Sequence, residues 1–186
     1  MILKTKIDEV TLRKRGINAQ DVEEMFALIE RNRSFLRIFL SWIDRTTTLE
    51  QWRKTQAVLD KQMEEGGCLS FYIIYNEKVI GDVGFVKIEH LLKMAEIGYF
   101  MDQDYSGKGI MTEAVRRLIR YGFEEMNLNK VVIKSATHNI RSLNISKRLG
   151  MYFEGTIRAN QIVNGEYVDH YQYSILKSEY KDRMVE

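Results

Sequence analysis

The sequence predicts a mixed α/β fold built on a mostly antiparallel sheet, with elements in the order β-ααα-β-β-β-α-β-α-β-β. Three observations lead there. Residues 21–65 carry apolar side chains at helical spacing, whereas residues 69–101 switch to strand-like runs joined by short turns. Between residues 94 and 137 a strand, an amphipathic helix and a second strand follow one another. Such a unit is a right-handed crossover and requires at least one parallel strand pair.

Taken in order, Val10-Thr11-Leu12-Arg13 alternates and forms a first strand after Ile7. Val22, Met25, Phe26 and Ile29 stripe a helix over Asp21–Glu30, and Phe35, Leu36, Phe39 and Leu40 extend the pattern into a second helix over Arg33–Trp42. Thr48 can cap a third helix, Glu50–Glu65, which Gly66-Gly67 ends. Leu69–Tyr75, Lys78–Glu89 and Met94–Met101 are three strands, and Gly81 and Gly84 suggest a bulge or a close backbone approach in the second. Ile110, Ala114, Val115, Leu118, Ile119, Gly122, Phe123 and Met126 keep one helix face apolar. Lys130–Thr137 is a buried strand. Asn139 can cap a helix over Ile140–Leu149, stopped at Gly150. Tyr152–Val163 and Glu166–Leu176 flank Asn164-Gly165, a strong hairpin signal.

Composition narrows the function. The chain has 186 residues, enough for one core, and the expectation is a single domain over residues 8–180. Twenty-eight Lys and Arg against 26 Asp and Glu give a formal charge of +2, which supplies no broad basic field for nucleic acid. Cys68 is the one cysteine, and His90, His138 and His170 lie far apart, so no metal-ligand spacing is present and no metal is expected. No apolar run reaches the roughly 18 residues of a membrane span, and residues 1–6 lack the apolar core of a secretory signal. Together with the lone thiol, this points to the cytoplasm and away from membranes.

The chemistry concentrates at Asp104-Tyr105-Ser106-Gly107-Lys108-Gly109, a glycine turn between a strand and a helix. Glycines let main-chain N–H groups approach an anion, and the helix N-terminus adds about half a positive charge. Phosphate binding and a simple tight turn are both open readings. The Walker pattern fails, because Gly109 follows Lys108 where Ser or Thr should stand, and GxGxxG fails at Thr112.

The loop resembles the pyrophosphate loop [QR]xxGx[GA] of the GNAT N-acetyltransferases, with Asp104 in place of the first Gln or Arg. The resemblance continues in Ala95-Glu96-Ile97-Gly98-Tyr99 before the loop and Ile110-Met111-Thr112-Glu113-Ala114 after it. Asn139-Ile140-Arg141-Ser142 with Lys147-Arg148-Leu149-Gly150, and Asn164-Gly165 with the strand that follows, complete it. These four motifs, in order over nearly the whole chain, are those of the RimJ/RimL branch, which acetylates ribosomal-protein N-termini.

The resemblance implies a GNAT fold and acetyl-CoA as cosubstrate, lying in a split between strand 94–101 and strand 130–137. The pantetheine arm would run along Phe100 and Met101. The pyrophosphate would take amides of Tyr105, Ser106, Gly107, Lys108, Gly109 and Ile110. Asn139 would meet the pantetheine or simply cap its helix. Ser142 is preferred over Ser146 as the group that serves the departing thiolate. Glu96 is the candidate base, acting through water, with a structural ion pair as the alternative. Gln161 stands in the hairpin where the branch offers an acid. Arg116, Arg117 and Arg120, or Lys147 and Arg148, are candidates for the 3′-phosphate. Implied acceptors are a protein N-terminus, ribosomal proteins among them, or a small amine such as a polyamine or antibiotic, with direct transfer and no acyl-enzyme at Cys68; a non-catalytic acyl-CoA-binding regulator is the alternative. An α-amine, with a pKa of about 7.7–8.0, is partly neutral at pH 7, whereas a lysine at about 10.4 needs a stronger base. A homodimer through the hairpin is a further implication.

Overall fold

The computed structural model describes residues 1–16 and 19–183. Its centre is an eight-stranded sheet in the order β1-β2-β3-β4-β5-β6-β8-β7, formed by β1 (Ile2–Lys4), β2 (Val10–Lys14), β3 (Leu69–Tyr75), β4 (Lys78–Glu89), β5 (Met94–Met101), β6 (Lys130–Ala136), β7 (Tyr152–Val163) and β8 (Glu166–Leu176). All neighbouring strands are antiparallel except β5 and β6, the parallel pair that the crossover demands.

Helices cover both faces. One face carries α4 (Ile110–Glu124) and α5 (Ile140–Arg148), packed on Leu12, Phe71, Ile73, Phe85, Ile97 and Ile133. The other carries α1 (Ala19–Arg31), α2 (Arg33–Leu36) and α3 (Leu49–Glu64), packed on Tyr72, Ile74 and Val79. A short α6 (Lys177–Arg183) closes the chain. The strand alternation accounts for the two cores, since successive residues of β3, Phe71-Tyr72-Ile73-Ile74, divide between them. The third helix starts as its sequence indicates: Thr48 Oγ1 accepts from Gln51 N and the Gln51 side chain returns to the Thr48 N–H, a capping box.

Two elements differ from expectation. The second helix stops at Leu36 instead of Trp42, and a 3₁₀ turn follows at Ile43–Arg45. The cause is tertiary: the Arg33 guanidinium donates to Ile43 O and Thr46 O, both at 2.6 Å, and draws the chain back on itself. An extra edge strand, β1, precedes the first expected one and pairs with β2. Three residues with only Leu3 buried carry too little alternation to be read in advance. In β4, Gly81 is a close approach: a Cβ there would sit 2.6 Å from Phe100 O of β5. β4 also bulges beside it, at Ile80 between the partners of Ile73 and Ile74, and again between Phe85 and Lys87.

Candidate active site

The parallel pair β5–β6 is hydrogen-bonded only over Met94–Ile97 with Lys130–Ile133. Beyond that, β5 stays with β4 as far as Met101↔Gly81, and β6 stays with β8 as far as Ala136↔His170. Residues 98–101 and 134–136 therefore splay apart, leaving a V whose facing backbone groups have no strand partner. Both strands run toward the open end, and α4 and α5 both begin there, so two helix N-termini bring their positive ends to it.

The glycine loop sits at this mouth. Gly107 and Gly109 take φ of +80° and +77°, a left-handed conformation that L side chains rarely adopt, and a Cβ at either would meet nothing within 4 Å. The loop is thus held open, with Gly109 as the N-cap of α4. It is anchored from below by Asp102, only 3% exposed. One oxygen of Asp102 accepts from Arg31 Nε at 2.8 Å and Nη2 at 2.7 Å, and the other accepts from Asp104 N. Asn32 Oδ1 accepts from Gln103 N at 2.9 Å. The end of α1 therefore fixes the start of the loop. An open cradle of amides at paired helix N-termini fits a diphosphate.

Inside the V, Phe100, Met101, Ser106, Asn139 and Ser142 line one cavity of about 140 Å³ together with Tyr99, Met111 and Ile145. Three hydroxyls bridge its strands. Ser142 Oγ lies 2.7 Å from Tyr99 Oη and 2.6 Å from Ser135 Oγ, so β5, β6 and α5 meet at one oxygen. Burial pushes the Tyr99 phenol up to about 12, against a smaller opposing pull from its hydrogen-bonded serines. It stays protonated and able to donate at neutral pH. Asn139 Oδ1 accepts from Ser142 N at 3.2 Å, so Asn139 caps α5 while also lining the cavity. Ser146 is fully buried with no hydrogen-bond partner and lines neither cavity.

A second cavity, of about 480 Å³, opens on the α3 side of the sheet and shares Leu40, Tyr99 and Phe100 with the first. Trp42, Trp52 and Phe85 wall it, and Arg15, Asp82 and Ser70 are also in its lining. The lining carries two arginines, Arg15 and Arg45, against one carboxylate, Asp82. Burial raises the pKa of Asp82, while Arg15 and Ser70 oppose that rise.

Glu96 lines neither cavity. Its Oε2 accepts from Lys134 Nζ at 2.7 Å, on the sheet face that Gly98 and Phe100 share by strand parity. Arg116 is held by Glu113, Arg117 by Lys4 O and Arg120 by Glu124. Gln161 receives His170 Nε2 on its Oε1 and donates Nε2 to Ser41 Oγ at 3.2 Å, tying the hairpin to the segment after α2. Burial lowers the pKa of His170, and Asn160 and Gln161 occupy its two ring nitrogens. His138 stacks on Phe39 at 5.4 Å. Sequence reasoning missed Ser135 and the Arg15–Asp82 pair. Each had a signal: Ser135 continues the inward series Val131, Ile133, and Asp82 is a carboxylate inside an otherwise apolar strand.

This V, with its glycine loop and hydroxyl cluster, is the architecture of an acyl-transfer fold, and comparison with known proteins gives it a family. The family model described as an acetyltransferase (GNAT) domain matches residues 10–152, and the chain belongs to the GNAT acetyltransferases. YdaF of Bacillus subtilis (strain 168), named as a ribosomal N-acetyltransferase, is 33% identical over 175 residues, covering 90% of this chain and 92% of its own. The ribosomal-protein-serine acetyltransferase of Escherichia coli (strain K12) is 30% identical over 164 residues, covering 88% and 91%. Among solved structures, the microcin C7 self-immunity acetyltransferase MccE, in complex with acetyl-CoA and AMP, superposes at a TM-score of 0.85 with 29% identity, covering 91% of this chain and 93% of its own.

Proposed function

We propose that this chain transfers acetyl from acetyl-CoA directly to the α-amine of a protein N-terminus, a ribosomal protein being the acceptor class that its relatives' names indicate. The observation that carries the reading is the meeting of the two cavities at Tyr99 and Phe100, which brings a thioester in the V within reach of an amine from the α3 side. The amides of residues 105–110 hold the diphosphate, and Phe100 and Met101 offer their backbone to the pantetheine arm. The amine nitrogen forms the new C–N bond, the C–S bond breaks, and sulfur leaves with the electron pair. Ser142, with Tyr99 and Ser135 able to donate to its oxygen, turns its own proton toward that sulfur. Glu96 receives the surplus amine proton through water.

The larger cavity also bears on the acceptor. A polyamine needs an acidic cleft, and this lining carries more arginine than carboxylate. The test is a panel of peptides with free Ser or Ala N-termini set against spermidine and other small amines, with CoA release as the readout. Turnover on peptides at least tenfold above that on the amines is expected; the reverse order overturns the reading.

A further inference from the structure

The second cavity contains a charged group with an unfilled bonding position. Arg15, whose side chain is 5% exposed, lines the cavity. Its guanidinium lies between two rings, 5.3 Å from the Trp52 centroid and 5.2 Å from Tyr72. Nε donates to Tyr72 Oη at 3.3 Å, and Nη1 stands 3.4 Å from Asp82 Oδ2, a long ion pair. Ser70 Oγ donates its one proton to the Asp82 carboxylate, lying 2.9 Å from both oxygens. Nη2 is buried and, among the described residues, has no hydrogen-bond partner.

A permanently charged planar donor, desolvated between aromatic rings and short of one acceptor, is built to read an oxygen. We infer that Arg15 is a specificity-determining residue that hydrogen-bonds a carbonyl or carboxylate oxygen of the acceptor, and so selects α-aminoacyl compounds over amines that carry no oxygen. This inference rests on the proposed function, since it takes the cavity as the acceptor site. A peptide N-terminus has a carbonyl oxygen two bonds from its amine carbon; a polyamine has none. A site that hydrogen-bonds a substrate group rejects the analogue lacking it, because its own buried donor is then left unpaired.

The test compares a Ser-Ala-Ala-Ala amide with its isostere in which a trans alkene replaces the first peptide bond, with spermidine as a third acceptor. For the unaltered enzyme, kcat/KM for the peptide should exceed that for the isostere by at least about a hundredfold. In R15K, which keeps the charge facing Asp82 but loses the fork, the ratio should fall below about tenfold, while the KM for acetyl-CoA stays within twofold. A ratio near one in the unaltered enzyme, or an unchanged ratio in folded R15K, overturns the inference. If R15K does not fold, R15M/D82N removes both charges of the pair together and permits the same comparison. If no acceptor is acetylated, the proposed function fails separately. Calorimetry of peptide and isostere on the CoA complex then decides: tighter peptide binding that R15K abolishes supports the role of Arg15, and equal binding refutes it.

Discussion

Replacing Ser142 with Ala tests the centre of the V most directly. The substitution deletes the oxygen that lies 2.7 Å from Tyr99 Oη and 2.6 Å from Ser135 Oγ. Of the three hydroxyl residues, Ser142 and Tyr99 line the smaller cavity together with Asn139 and Ser106, and Ser142 is the one that contacts both others. A hydrogen bond to a charged group is worth about 1.5–3 kcal/mol. Withdrawing one from a developing thiolate therefore slows the chemical step by about 10- to 150-fold, at 1.36 kcal/mol per tenfold. Two shielded hydroxyls lose their partner, so the fold should also lose about 1–3 kcal/mol. For a chain of this size the melting midpoint then drops by about 2–4 °C for each kcal/mol. The assay is CoA release at saturating acetyl-CoA, run as single turnovers so that product release does not mask the step. Ser142→Thr, which keeps the hydroxyl, should recover most of the rate. A chemical step within twofold of the unaltered enzyme in Ser142→Ala would refute the assignment of Ser142 to the leaving sulfur.

Tyr99→Phe removes a donor to Ser142 and should lower kcat about tenfold with little change in the KM for acetyl-CoA. The same variant carries a pH signature. Because the phenol is pushed up to about 12 in the fold, the unfolded chain ionises it first above pH 10, and stability then falls with rising pH. Two units correspond to about 2.7 kcal/mol, most of it lost by pH 12, so urea midpoints of Tyr99→Phe should decline less steeply than wild type on the alkaline side. Gly109→Val forces a β-branched residue into φ +77°, at about 1–2 kcal/mol, and should raise the KM for acetyl-CoA about tenfold while leaving kcat nearly unchanged. Cys68→Ala should leave turnover within a few-fold, since burial raises the pKa of the thiol away from reactive thiolate. A dead Cys68→Ala enzyme would instead indicate an acetyl-cysteine intermediate. Glu96→Gln should depress kcat/KM about tenfold near pH 7 and less at higher pH, where more of the amine is neutral; a flat response would leave the Lys134 pair as the only role of Glu96.

Periodicity made most of the fold legible. The hairpin at Asn164-Gly165, the crossover helix and the capped third helix all announce themselves within a dozen residues, and their boundaries agree with the structure to a residue or two. The end of the second helix is not legible, because its apolar spacing continues past Leu36 while the force that ends it comes from Arg33 reaching forward to Thr46. The glycine loop and Ser142 were visible as motifs. Their supports were not: Arg31 reaches Asp102 across 71 residues, Tyr99 meets Ser142 across 43, and Arg15 pairs with Asp82 across the sheet. No local pattern encodes a partner that only the strand order brings near. Strand parity puts Glu96 and Tyr99 on opposite faces of β5, but no local pattern shows that Lys134 holds the carboxylate.

The position of β6 in the sheet has a consequence for how the enzyme comes into being. β6 touches β5 over four rungs only, and its other long edge is completed by β8, which follows α5 and β7 in the chain. A nascent chain that has not yet emerged past Leu176 thus owns the glycine loop but only one braced wall of the crevice. Bracing of the second wall waits on β8, so a copy cut before Glu166 is expected to release no CoA instead of working as a half-active transferase.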